Sequence, residues 1–182
     1  NEFHKAAENY IKIGEPLPPK FLYSKPVLDS LKTKKGDKLC EYRMGLTEDL
    51  KPCGFYDKTA WYRGICDLII LNADDRLAWV VDYKTSKNTK YADKGQLELM
   101  ALCVFKHFPV VENIRAGLLF VVCEELVKEN YKYSTASSLW SKWYTGFDRM
   151  KKAYETGVWN ANPSGLCKQH CAVTECVYNG RN

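Results

Sequence analysis

The sequence predicts an α/β (α+β) domain, with a central mixed β-sheet flanked by helices. Three observations predict it. Two long apolar runs, 60–71 and 77–85, are separated only by the turn "NADDR" (72–76), the signature of an antiparallel hairpin. Apolar residues recur at helical spacing over 2–12, 95–107 and 135–156. Another apolar run, 115–123, supplies a further buried strand between the last two of these helices.

Each element has a local reason. The segment 2–12 is amphipathic, and Pro16, Pro18 and Pro19 end it because proline cannot occupy a helix interior. A short helix over 27–34 is closed by Gly36. "LCEYRMGL" (39–46) reads as a strand, and "TEDLKPCGFYDK" (47–58), with Pro52 and Gly54, as a connecting loop. "SKNTKYADKG" (86–95) is a polar loop. Leu97, Met100, Ala101 and Val104 share one face of the helix that follows. Along 135–156, the longest helix, Leu139, Trp143, Phe147, Met150 and Tyr154 form a stripe expected to pack into the core rather than to stack on bases. The whole is read as one domain, 1–182, with 163–182 a Cys-rich C-terminal tail. The chain starts at Asn1, inside a helix and without methionine, so an N-terminal element of the natural protein is expected to be missing.

Composition narrows the function classes. With 182 residues, 46% apolar, 27% charged and 13% aromatic, the chain can bury a sizeable core and is not a disordered segment. A net charge of +5 permits contact with a polyanion. No run of about 18 apolar residues predicts a membrane span, no secretory signal is visible, and an intracellular location is expected. Of the eight cysteines, Cys66, Cys103 and Cys123 sit in apolar runs as small hydrophobes. Cys167, Cys171 and Cys176 cluster at short spacing, unlike a disulfide framework spread through loops, which leaves a secreted disulfide domain as the minor reading.

The chemistry concentrates in "VVDYKTSK" (80–87). Asp82 and Lys84 alternate onto one face of the strand, with Tyr83 on the other. A charge pair at the end of a buried strand costs desolvation that packing alone does not require. Asp67, in "GICDLIIL" on the neighbouring strand, is a second acid in an apolar run, and the hairpin brings the two near each other. Carboxylates suit Mg²⁺ or Mn²⁺, and a lysine beside them can orient a water and balance charge building on a phosphate. The arrangement serves metal-assisted phosphodiester hydrolysis. The plainer alternatives are ion pairs: Asp82 with Lys84, and Asp67 with Arg63 on its own strand.

These residues resemble the PD-(D/E)XK nuclease signature, and the surrounding pattern is similar to its RecB-like branch. "RGICD" followed by "VVDYKTSK" is similar to the branch's Gly-x-x-Asp … Asp-Tyr-Lys-Thr order, and "GQLELMA" (95–101) to its Gln-containing helix, with Gln96 at the key position. Met100 stands where the branch often has tyrosine. "FHKAAE" (3–8) is similar to the N-terminal helix whose histidine matches His4. The likeness runs from about residue 3 to 176, and within the branch points to bacteriophage-type exonucleases.

The resemblance implies a restriction-endonuclease-like core and metal-dependent cleavage of DNA. It implies catalytic roles for Asp67, Asp82, Lys84 and Gln96. The metal ligands would be His4, Asp67, Asp82 and the Tyr83 backbone carbonyl, with Glu41 a further candidate and Glu8 a support on the His4 helix. Arg63, Thr85, Lys87, Lys90, Tyr91 and Lys94 are the expected DNA contacts. Cys167, Cys171 and Cys176 are a candidate cluster site. Some RecB-like nucleases hold [4Fe–4S] with three C-terminal cysteines and one distant cysteine, but at x2 and x5 spacing rather than the x3 and x4 here. Cys40 and Cys53 are fourth thiolates by composition only; zinc with His170, or reduced thiols without metal, are the other readings.

The expected activity is exonucleolytic hydrolysis of DNA in viral recombination, repair or degradation, in the cytoplasm of a host cell if viral. A recombination or repair protein would be its partner. The alternatives are a structure-specific or restriction-type endonuclease, and a DNA-binding or assembly module without catalysis.

Overall fold

The computed structural model describes residues 2–90 and 92–180. Helix α1 (Glu2–Ile13) buries Phe3, Ala7, Tyr10 and Ile11, one helical stripe, and Gly14 turns the chain away at φ +75°. Helix α2 (Lys25–Thr33) opens on a proline in its first turn and buries Leu28 and Leu31. Six strands follow: β1 (Asp37–Leu46), β2 (Pro52–Cys53), β3 (Tyr62–Asn72), β4 (Leu77–Lys84), β5 (Asn113–Phe120) and β6 (Glu125–Lys132). They form one sheet in the order β2-β1-β3-β4-β5-β6. All pairs are antiparallel except β4 with β5, which run parallel on either side of helix α3 (Lys94–His107) in the chain. The mixed sheet with flanking helices is the architecture expected from the sequence.

Alternation along β4 assigns the two faces. Val81 and Tyr83 join Leu68, Ile70, Leu119 and Val121 in the core under α1 and α2. Ala78, Val80 and Asp82 are also buried and point the opposite way, toward α3. Helix α3 is capped by Asp93, whose carboxylate accepts from the Gly95 N–H at 2.9 Å, so Gln96 is not spent on capping.

Two strands lie outside the expected set. The two-residue β2 falls in the stretch read as loop. Strand β6, "ELVKENYK", is a half-exposed edge strand whose charged residues obscure its alternation.

The chain divides into two compact units, Asn1–Trp140 and Ser141–Asn182. Helix α4 (Ala136–Thr156) begins in the first unit, where Ala136 and Trp140 are buried. The stripe expected to be core is so only in part: Leu139, Trp143 and Phe147 are half-buried, whereas Met150 is 55% and Tyr154 81% exposed. The second unit also holds the short helix α5 (Gly165–Gln169), capped by Ser164. Among the described residues no helix is long and apolar enough to cross a membrane.

Candidate active site

The site forms where β3 and β4 part. Their ladder ends at Leu68↔Val81, so the next residues, Asp67 and Asp82, face a gap rather than each other. The Asp67 carboxylate substitutes for the missing rung: its Oδ2 accepts the Tyr83 backbone N–H at 2.7 Å. Beyond that point β4 continues against β5 through Asp82↔Leu118, Tyr83↔Leu119 and Lys84↔Phe120.

A second irregularity lies on the other side of Asp67. β1 and β3 pair from Asp37↔Leu71 to Cys40↔Leu68 and again from Tyr42↔Cys66, leaving Glu41 opposite Asp67. Glu41 has φ +49°, a left-handed conformation costly for a side-chain-bearing residue. The kink breaks the two-residue alternation. Cys40 packs against the core under α1 and α2, whereas Tyr42 meets His107 edge-on and Phe108 at a tilt, at the end of α3. Beside the kink lies a cavity of about 660 Å³ between α1 and the β1–β3 pair, lined by His4, Glu8, Glu41, Arg43, Ile65 and Asp67 among others. Burial, and then Asp67, push the Glu41 carboxyl up from its ordinary pKa.

Two groups of side chains meet at this fork. In the first, His4 Nε2 is 3.1 Å from the Tyr83 carbonyl oxygen and 3.2 Å from Asp67 Oδ2. Both neighbours are acceptors, so Nε2 carries the proton and donates to them, and the hydrogen bond to Asp67 holds the His4 pKa above its ordinary value. In the second group, Lys84 Nζ is 2.7 Å from Asp82 Oδ2 and donates to Gln96 Oε1 at 2.9 Å. Gln96 Nε2 in turn donates to Asp82 Oδ1 at 2.8 Å. Asp82 is 5% exposed, and burial pushes its carboxyl up against the opposing pull of Lys84.

The donor chemistry fits a divalent cation. Among the described residues no three His, Cys, Asp or Glu side chains converge on one point. The convergent set is instead His4 Nε2, Asp67 Oδ2 and a backbone oxygen, that of Tyr83. Mg²⁺ takes only one or two protein carboxylates and completes its shell with water and phosphate. His4 Nδ1 is buried without a partner that would fix a ligating tautomer, so the two oxygens are the firmer part of the set.

The remaining expected residues scatter. Arg63 leaves Asp67 alone and donates from Nη2 to the Asp57 carbonyl oxygen at 3.1 Å. Thr85, Lys87 and Lys90 are exposed on the loop leaving β4. Lys94 is paired with Glu129 of β6 at 2.7 Å. Tyr91 lies outside the described residues. Glu8 forms ion pairs with Lys5 and Lys12 on its own helix. All eight cysteines are free thiols; Cys66 and Cys103 are buried as expected, and Cys123 is half-buried. Cys167, Cys171 and Cys176 are partly exposed and, with His170, form no metal-holding group among the described residues. Cys167 Sγ instead accepts the Ser164 N–H at 3.4 Å. Sequence reasoning missed Arg43 and its neighbours on the cavity rim, because they carry no motif.

The split mixed sheet carries an acid–lysine–glutamine cluster, and comparison supplies the class. The model of the PD-(D/E)XK nuclease superfamily matches residues 30–176, and the chain belongs to that superfamily. Divalent cations such as Mg²⁺ are the general cofactor of that superfamily. No curated protein is significantly similar to the chain. Among solved structures, one described as "Crystal structure of SSO0001" is similar at 16% identity and a TM-score of 0.33, covering 67% of this chain. The chain matches 55% of that structure's length, and a likeness at this level bears on neither activity nor partners.

Proposed function

We propose that the protein is a DNA exonuclease of the RecB-like, phage-type branch, hydrolysing phosphodiester bonds with Mg²⁺ or Mn²⁺. The observation that carries the hydrolytic reading is the fork, where His4 meets both Asp67 and the Tyr83 carbonyl, with the Asp82–Lys84–Gln96 cluster on the same strand end. The exonuclease assignment rests on the likeness of "RGICD", "VVDYKTSK" and "GQLELMA" to that branch.

Asp67, the Tyr83 carbonyl and His4 would hold the cation, with Asp82 and Glu41 as further candidate carboxylates. A divalent cation supplies Lewis-acid stabilisation of charge developing on the phosphoryl oxygens. Lys84 is ion-paired with Asp82 and donates to Gln96, and its remaining N–H capacity would serve the attacking water or the phosphate. Gln96 holds that geometry by bonding both partners at once. Lys87 and Lys90 on the exposed loop beyond β4 reach backbone phosphates.

The test is digestion of end-labelled linear DNA and closed circular DNA, with Mn²⁺, Mg²⁺ or EDTA, alongside Lys84→Ala. Linear DNA alone is degraded, only with metal, and Lys84→Ala lowers the rate at least about 100-fold while the fold persists by circular dichroism. Cutting of closed circles makes the protein an endonuclease. Retained cleavage by the variant removes Lys84 from the mechanism, and binding without any cleavage makes the protein a DNA-binding module.

A further inference from the structure

We infer that Arg43 and Tyr56 form a nucleotide platform at the rim of the cavity, taking the phosphate and base of an unstacked nucleotide next to the scissile bond. The inference rests on the nuclease reading of the site.

Arg43 lines the same cavity as Asp67, Glu41 and His4. It stands on β1 directly across from Ile65 of β3, which is 37% exposed and two residues from Asp67. The guanidinium carbon lies 5.7 Å from the Phe55 ring centre and 5.6 Å from that of Tyr56, and Nη1 donates to the Tyr56 hydroxyl at 2.9 Å. One of five guanidinium donors is thereby used, leaving the others for a phosphate.

Tyr56 is 74% exposed, so its ring does little for packing, yet it is held in place. Phe55 meets it edge-on at 5.0 Å. The loop beneath is braced: Asp57 N–H donates to the Gly54 carbonyl at 3.0 Å, the Asp57 carboxylate accepts from Thr59 N–H and Oγ1, both at 2.8 Å, and Arg63 clasps the Asp57 carbonyl. An exposed aromatic ring, pre-oriented beside a cation on an active-site wall, suits a base that has left its helix, because stacking needs a π-face free of a neighbouring base pair. Duplex DNA presents only its backbone to such a surface.

The experiment measures binding in EDTA, without turnover, of a short single-stranded oligonucleotide carrying terminal 2-aminopurine and of a blunt duplex of the same sequence. The wild-type protein binds the single strand and quenches its fluorescence. Tyr56→Ala and Arg43→Ala each weaken binding about tenfold, and Tyr56→Ala abolishes the quench. Tyr56→Phe, which keeps the ring, stays within about threefold of wild type and keeps the quench. A Tyr56→Ala protein that binds and quenches like wild type, or a wild-type protein that does not quench, overturns the platform. Cleavage with Mn²⁺ is scored separately. Quenching without cleavage sinks the nuclease reading, and cleavage with an indifferent Tyr56→Ala sinks only the platform.

Discussion

At the scale of single residues, Gln96 is where an inert Asp82–Lys84 ion pair and the proposed working site predict different outcomes. A pair that only neutralised itself would need no third partner, but the Gln96 amide donates to Asp82 and accepts from Lys84. The carboxylate and ammonium are therefore held in one geometry. Gln96→Ala is expected to lower kcat about 10- to 100-fold with little change in KM for linear DNA, because small misplacements at a reacting centre cost that much. Equal losses in binding and turnover would make Gln96 a DNA contact instead. The pair and its shared face could be read from alternation along "VVDYK". Bonding of both to Gln96 could not, because only α3 lying across the sheet brings position 96 to positions 82 and 84.

At the scale of elements, the interruptions of the sheet matter more than its regular parts. Apolar alternation made the β3–β4 hairpin legible, but not the place where the strands separate, since both strands continue past Leu68↔Val81, where their ladder stops. Strand β6 went unread for a similar reason: an edge strand exposes one face, and its Glu and Lys residues dilute the pattern. Gly36 was legible as a stop after α2, and the fold adds a second demand. Its φ is +123°, and a Cβ there would lie 2.5 Å from the Leu71 carbonyl oxygen. Gly36→Ala is expected to destabilise the protein by about 1–3 kcal/mol in urea melts. A change under about 0.5 kcal/mol would mean that the turn relaxes without strain.

At the scale of the whole molecule, the two compact units differ in what holds them. The first has the sheet and nearly all of the buried apolar residues. The second exposes Tyr154, Val158, Trp159 and Leu166, and its residues 157–164 have no regular structure. Brief chymotrypsin treatment is expected to cut first after Tyr154 or Trp159, read by intact mass, before any cut within the first unit. First cuts inside β1–β6 would contradict the difference between the units. The period of α4 is helical in sequence, and periodicity alone cannot say whether a stripe meets a partner. Here Met150 and Tyr154 do not become core.

By itself the sequence determined the fold class, the β3–β4 hairpin and the acid–lysine pair, because these follow from periodicity and residue chemistry within a few positions of one another. Only the tertiary structure decided which atoms meet. It brought His4 of α1 to Asp67 and the Tyr83 carbonyl, kinked the chain at Glu41 on the cavity wall, and paired Arg43 of that wall with Tyr56. Those contacts join residues far apart in the chain, and strand twist and helix packing set their distances.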